Sequence, residues 1–380
     1  MQASHQNKFD LLRGIASIAV LVPHIAAVFL YRLIGSDHPI ASTAGTVARH
    51  AVLVFFLLSG YLITLSIFVN VQRNGRFNVA EYLTARVARI YPPLLGAIGI
   101  VLAAFAIIHG LGLPGAEHYG LPGDLYAARD RFTVSAKDVL FALLMHNGML
   151  EADGPLWSLC IEFNLYIAAL FAALAVTAST AKRRLVTAAA AIAWVAWWIR
   201  ADSQFVFYLA IWALGASLCI WRALLARPIV AKSFSVLAWT SLGIYLALLF
   251  LAPGWLVIDK PGHWASFGLQ FIACVGYAYV LFVPTWGERP PRWLARSGDY
   301  SYSLYVIHFP ILLLILSLTQ TWMGSSLTRA CIVAALSGVI AIAASSVFST
   351  FFENQRLFRP FIRSALGFVL RSEARVQARN

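Results

Sequence analysis

The sequence predicts an all-α fold, a polytopic membrane helix bundle of about ten transmembrane helices with both termini on the cytoplasmic side. Three observations lead there. Of the 380 residues, 60% are hydrophobic and only 12% are charged, about half the charged fraction of a soluble domain, and the mean hydropathy is +0.75. Apolar runs of bilayer-crossing length, about 17–25 residues, recur along the whole chain. Lys and Arg gather between alternate pairs of those runs. The formal net charge of +13 would suggest a nucleic-acid partner in a soluble protein. Here its first use is to set topology, and no nucleic acid is expected.

In chain order the runs fall at 9–31, 49–70, 93–112, 155–179, 185–200, 204–221, 233–252, 265–284, 300–320 and 327–351. The first is longer than a signal-peptide core and ends without a small-x-small cleavage site, so it reads as a retained span. The fifth is short for a span. With the N-terminus inside, the inner segments and span ends hold Lys8 and Arg13; Arg73, Arg76, Arg86 and Arg89; Lys182, Arg183 and Arg184; Arg222, Arg227 and Lys232; Arg289, Arg292 and Arg296; and Arg356, Arg359, Arg363, Arg371, Arg375 and Arg379, which is most of the 29 basic residues. Gaining or losing one span would break that alternation.

Between the spans, the inner segment 71–92 contains EYLTARVARIYPP, which reads as a basic amphipathic turn or two stopped by two prolines. The longest outer segment, 113–154, contains VLFALLMHNGM, too short to span and read as a re-entrant or interfacial helix. Residues 1–352 thus form a transmembrane domain and 353–380 a basic cytoplasmic tail, read as an interfacial helix on the anionic inner leaflet. Cys160, Cys219, Cys274 and Cys331 lie far apart inside apolar stretches. They read as small buried residues, implying neither a disulfide framework nor a zinc site.

Charge inside such spans is costly and points to function. The first span, FDLLRGIASIAVLVPHIAAVFL, holds Asp10, Arg13 and His24. Arg13 and His24 are separated by about 1100° of helical rotation, about 20° past three full turns, so both project from one face. They sit about 16 Å apart along the axis, Arg13 near the cytoplasmic boundary and His24 near the midplane. Asp10, one turn earlier, can pair with the guanidinium, and Pro23 removes a backbone donor beside His24. A snorkelling anchor at Arg13 and a satisfied packing imidazole at His24 are the structural alternatives, and the shared face weighs against both together. In GPLWSLCIEFNLYI, 154–167, Glu162 lies about 9–10 Å below the outer edge. In SGDYSYSLYVIHFPILLLI, 297–315, His308 lies about 12 Å in from the inner edge. A structural ion pair is the alternative for Glu162, and packing the alternative for His308. Two histidines and a carboxylate at comparable depth suit a general base in a channel open to both sides. No two of them share a helix at ligand spacing, so no metal is expected. Tyr302, Ser303 and Tyr305 suggest a hydrated interior. Arg86 and Arg89, one turn apart at the inner mouth of the third span, suit a phosphate-rich ligand. Topology marking and lipid headgroups are the alternative there.

Two further stretches are VFFLLSGYLIT, 54–64, and ARVARIYPP, 85–93. Together these motifs resemble, in order, the acyltransferase-3 family of integral membrane O-acyltransferases that modify bacterial surface and secreted carbohydrates. The family's first-span element, Arg, ten residues, His, is matched by Arg13 and His24. The two stretches just quoted are similar to its Phe-Phe-x-x-Ser-Gly-Phe/Tyr-Leu-Ile element and its basic inner-loop element ending Arg-Ile-x-Pro. PLWSLCIEFNLYI is similar to its Trp-Ser-Leu-x-x-Glu-x-x-x-Tyr element, and YSYSLYVIHFPIL to its Ser-Tyr-x-Leu-Tyr-x-x-His-x-Pro element. After Trp-Ser-Leu many members have Glu-Glu-Gln where this chain has Glu162, Phe163 and Asn164, so no second carboxylate role carries over. Many members also continue into a periplasmic esterase-like domain, whereas a stand-alone form is expected here.

The resemblance implies transfer of an acyl group, usually acetyl, from cytoplasmic acyl-CoA to a hydroxyl of an extracytoplasmic or lipid-linked carbohydrate, in the bacterial inner membrane. On that reading His24 is the general base, Glu162 orients it or binds the acceptor, and His308 completes the site as an oxyanion donor. Arg13, paired with Asp10, and Arg86 with Arg89 bind the CoA phosphates or hold the entrance open. Trp157, Ser158, Tyr302 and Tyr305 face the acceptor, and Ser59 with Gly60 permits close helix approach. Acyl-CoA is the donor co-substrate. The bilayer and a carbohydrate are partners, and polysaccharide-assembly machinery is a further candidate. The rival reading is an exporter of glycan or lipid-linked intermediates, against which the lack of evident repeat symmetry weighs.

Overall fold

The computed structural model describes residues 2–35, 38–120, 130–225, 227–251, 264–282, 294 and 296–377. In chain order the helices are α1 (Gln2–Phe29), α2 (Tyr31–Ile34), α3 (Pro39–Asn74), α4 (Val79–Gly110), α5 (Ala136–Leu143), α6 (Leu156–Thr177), α7 (Ala181–Ala201), α8 (Phe205–Ile220), α9 (Arg222–Leu225), α10 (Pro228–Leu251), α11 (Trp264–Phe282), α12 (Ser301–Met323), α13 (Leu327–Phe352) and α14 (Gln355–Gln377), with a 3₁₀ turn at Ser297–Tyr300. No strand occurs among the described residues, so the fold is the all-α bundle that the composition predicts.

A long helix lies at each of the ten expected runs. Seven segments are long and apolar enough to cross a membrane by length and composition: Lys8–Phe29, Pro39–Asn74, Val79–Gly110, Leu156–Thr177, Pro228–Leu248, Ser297–Met323 and Leu327–Phe352. The fifth run is not among them. Its helix α7 opens on Lys182, Arg183 and Arg184 and is alanine-rich. Helix α8 and the apolar part of α11 are shorter. Of the expected inner basic residues, Arg289, Arg292 and Arg379 lie outside the described residues, as do positions 121–129 of the outer segment.

One expectation is corrected. The inner segment does not stop at the double proline, because α4 runs unbroken through Pro92 and Pro93. Each proline removes only its own N–H, and packed neighbours in a bundle hold the flanking turns. Here Ile90, Leu94 and Val101 are buried on either side, and the Tyr91 hydroxyl donates to the Leu143 carbonyl at 3.1 Å. Helix α1 likewise continues over Pro23 and α12 over Pro310. The short outer apolar stretch forms α5, opened by a capping box: the Ser135 N–H donates to the Asp138 carboxylate at 2.8 Å and the Asp138 N–H to the Ser135 hydroxyl at 3.2 Å.

The chain divides into two compact units, one made of Met1–His5, Val52–Tyr82 and Asn164–Arg289, the other of Gln6–Ala51, Leu83–Phe163 and Pro290–Asn380. In the first, α3 and α8 cross so closely that a Cβ on Gly60 would strike the Trp212 carbonyl and one on Gly215 the Leu57 carbonyl. Only glycine fits at such a crossing. Ser59 beside it donates to the Tyr166 hydroxyl at 3.4 Å. Tyr82 donates to the Tyr166 carbonyl at 2.9 Å and the Trp194 indole to the Asn164 carbonyl at 3.1 Å. These bonds tie the start of α4 and the helix α7 to α6. The second unit gathers α1, most of α4, α5, the first turns of α6, α12, α13 and α14, and it contains every candidate site residue.

Candidate active site

At the expected inner end, α1 packs on the Ser297–Tyr300 turn with almost no clearance. A Cβ on Gly14 would meet the Ser297 side chain, and one on Gly298 would lie 2.5 Å from the Asp10 carbonyl oxygen. The sequence run SGDYSY is therefore a seat for DLLRG, and it fixes where Arg13 points from. Arg13 donates to the Asp10 carboxylate at 2.9 Å. Arg89, from α4, lies over the Tyr302 ring, 5.9 Å from its centroid, in cation–π range. The Tyr302 hydroxyl donates to the Ile90 carbonyl at 3.5 Å. Arg86 is half-buried one turn earlier on α4.

A residue that sequence reasoning passed over joins this group. Glu353, at the C-terminal end of α13, accepts from the Ser303 N–H at 2.8 Å and from the Ser303 hydroxyl at 2.6 Å. Burial pushes its carboxyl up, while the Ser303 bonds and the charges of Arg89 and Arg13 pull it back. The signal that could have found it is a lone acid following a long apolar run, opposite an arginine-rich inner segment.

At mid-depth, His24 Nδ1 and His308 Nε2 are 2.8 Å apart, with ring planes 19° from parallel. His308 is 1% exposed, and its Nδ1 lies 2.7 Å from the Leu304 carbonyl. A carbonyl only accepts, so His308 Nδ1 carries the proton and its Nε2 is a bare acceptor. With His308 neutral, His24 donates from Nδ1, and Nε2 is its unprotonated ring nitrogen. The Phe309 ring meets His24 edge-on at 5.4 Å and limits how the imidazole can turn. The hydrogen-bond partner of His24 Nδ1 is thus His308 Nε2.

The serine and tyrosine come together one turn away. The Ser158 and Tyr305 hydroxyls are 2.5 Å apart, and the Tyr305 ring lies 6.3 Å from that of His308. Asp153, another residue not singled out from sequence, is wholly buried just before α6. Trp157 is half-buried beside Ser158 in the first turn of α6. Tyr305 thus stands between Ser158 and the histidine pair, and the Asp10–Arg13 pair lies about 16 Å along α1 from His24.

A family described as an acyltransferase domain, acyltransferase-3, matches residues 6–350. An O-acetyl transferase of Shigella phage Sf6 is 30% identical over 162 residues, 42% of this chain and 44% of the relative. Nodulation protein 10 of Rhizobium leguminosarum bv. viciae is 26% identical over 170 residues, 43% of each chain. The matched stretch thus spans less than half the length of either curated relative. No solved structure matches. With the family profile covering nearly the whole chain, from before Asp10 to the end of α13, the protein belongs to the acyltransferase-3 family.

Proposed function

We propose that this protein is a membrane O-acyltransferase that moves an acyl group, acetyl in the first instance, from cytoplasmic acyl-CoA to a hydroxyl of an extracytoplasmic or lipid-linked carbohydrate. Family membership supports acyl transfer, and the name of the phage relative supports acetyl. The observation that carries the mechanism is the Leu304–His308–His24 chain of hydrogen bonds, which leaves His24 Nε2 as the base. That nitrogen takes the proton of the acceptor hydroxyl as its oxygen attacks the thioester carbonyl. The tetrahedral adduct collapses with loss of the CoA thiolate, which takes the proton back from the His24 imidazolium. Products are the ester and free CoA thiol. His308, neutral and accepting, stabilises the imidazolium in between.

Arg13, Arg86 and Arg89 receive the donor's phosphates, and the face shared by Arg13 and His24 aligns its extended arm with the base. Tyr305, Ser158, Glu162 and Trp157 line the side from which the sugar arrives. The protein lies in the bacterial inner membrane with both termini in the cytoplasm, and α14 rests on the anionic leaflet, where polysaccharide-assembly proteins are candidate neighbours. The test supplies labelled acetyl-CoA to inside-out vesicles containing the protein and a surface glycan. Label on carbohydrate is the expected result. Movement of glycan across the membrane without label transfer overturns the reading in favour of an exporter.

A further inference from the structure

Glu353 stands where the proposed mechanism has no use for an acid. The donor reading brings a polyanion to Arg13 and Arg89, yet Ser303, next to the Tyr302 that Arg89 covers, already holds a carboxylate. Three elements converge to put it there. Glu353 ends α13, its own N–H donating to the Ser349 carbonyl at 3.0 Å. Ser303, fully buried at the start of α12, gives the carboxylate two bonds. The next residue back, Tyr302, carries Arg89 over its ring, and the seat at Gly14 and Gly298 fixes Arg13 against the same turn. Both Ser303 bonds fall on one oxygen, Oε1, and an amide oxygen would accept them equally well. Ser303 therefore does not explain why the residue is an acid rather than an amide. The arginines do: two guanidiniums in a poorly solvated place repel one another unless an anion sits near them.

We propose that Glu353 is the resident anion of the arginine cluster, held in the place of a donor phosphate, so that the phosphate-bearing donor binds by displacing this carboxylate and the carboxylate returns as free CoA leaves. The idea rests on the acyl-CoA reading above and adds a positioning residue to it. Asp10 pairs Arg13 directly at 2.9 Å and stays with it. Glu353 acts on the arginines across space, and is the one free to yield. Its presence weakens binding of donor and product alike and speeds release of product.

The test measures binding of coenzyme A by calorimetry to the purified full-length protein in lipid nanodiscs. The variants are Glu353→Gln, which keeps the Ser303 bonds and removes the charge, and Glu353→Asp, which keeps the charge. The Gln variant is expected to bind on the order of three- to tenfold more tightly than wild type, with a lower KM for acetyl-CoA and stronger inhibition by free CoA, whereas Asp stays close to wild type. Ser303→Ala unseats the carboxylate by removing one bond, and shifts affinity the same way by a smaller factor; it serves if the Gln variant does not fold. Unchanged or weaker binding in the Gln and Ser303 variants overturns the proposal, because a residue that merely orients the arginines would weaken the donor site when lost. If wild type binds no coenzyme A, the donor assignment falls together with this one. If wild type binds and the variants do not gain, only the role of Glu353 falls.

Discussion

His24 and His308, 284 positions apart in the chain, share a 2.8 Å hydrogen bond that fixes the tautomer of both rings. The anchor is the Leu304 carbonyl behind His308, a backbone atom that cannot be titrated or mutated away. The pair is thus held in one orientation by the backbone of α12.

Replacing His24 by alanine removes the base. Transfer of acetyl to carbohydrate is expected to fall by about 10²–10⁴-fold, the usual contribution of a general base, while insertion and thermal stability stay near wild type. A transfer rate equal to wild type would sink the assignment.

His308 acts through His24, so its substitutions should split by chemistry. In His308→Gln the amide oxygen can still accept from His24 Nδ1, whereas in His308→Leu nothing can. Single-turnover assays should find Leu slower than Gln by at least about tenfold in kcat, with KM for acetyl-CoA within about twofold. Equal rates for the two variants would reduce His308 to packing.

Tyr305→Phe removes one partner of the 2.5 Å bond to Ser158 and leaves the Ser158 hydroxyl with the 3.3 Å bond to the Pro155 carbonyl, at a cost of about 1 kcal/mol. The Ser158→Ala, Tyr305→Phe double variant removes both groups and should cost less than the two single changes added together. Thermal unfolding of the four proteins in one detergent reads this directly, and simple additivity would argue against the bond.

Gly298→Val forces side-chain atoms into the Asp10 backbone. Overpacking of this kind costs about 1–3 kcal/mol, and the displaced α1 should carry Arg13 with it. The expected signature is a lower melting temperature together with a raised KM for acetyl-CoA. A raised KM should not appear for Gly60→Val, whose clash is with the Trp212 carbonyl in the other compact unit.

Arg89→Gln is expected to raise KM for acetyl-CoA by about tenfold, equivalent to about 1.4 kcal/mol. The same variant should handle acetyl-pantetheine, which lacks the nucleotide phosphates, as wild type does. Equal losses with both donors would detach Arg89 from phosphate recognition.

The sequence by itself determined the class of fold, because hydrophobic runs of fixed length and a bilayer of fixed thickness leave few solutions. It also determined that Arg13 and His24 share a face, since helix geometry is rigid over eleven residues, and the Asp10–Arg13 pair, which is local. What it could not determine is anything that depends on which helices are neighbours. The His24–His308 bond, the Ser158–Tyr305 bond and the Ser303–Glu353 bond join residues on helices far apart in the chain. Contacts of that kind are set by side-chain packing, and periodicity along one helix carries no record of them. The same limit explains the misreading of Pro92 and Pro93. A proline breaks a helix that stands alone, but inside a packed bundle the neighbours keep the turns on either side in place. The tertiary structure therefore decided partners: it joined His24 to His308 and Ser158 to Tyr305, and it set Glu353 on Ser303.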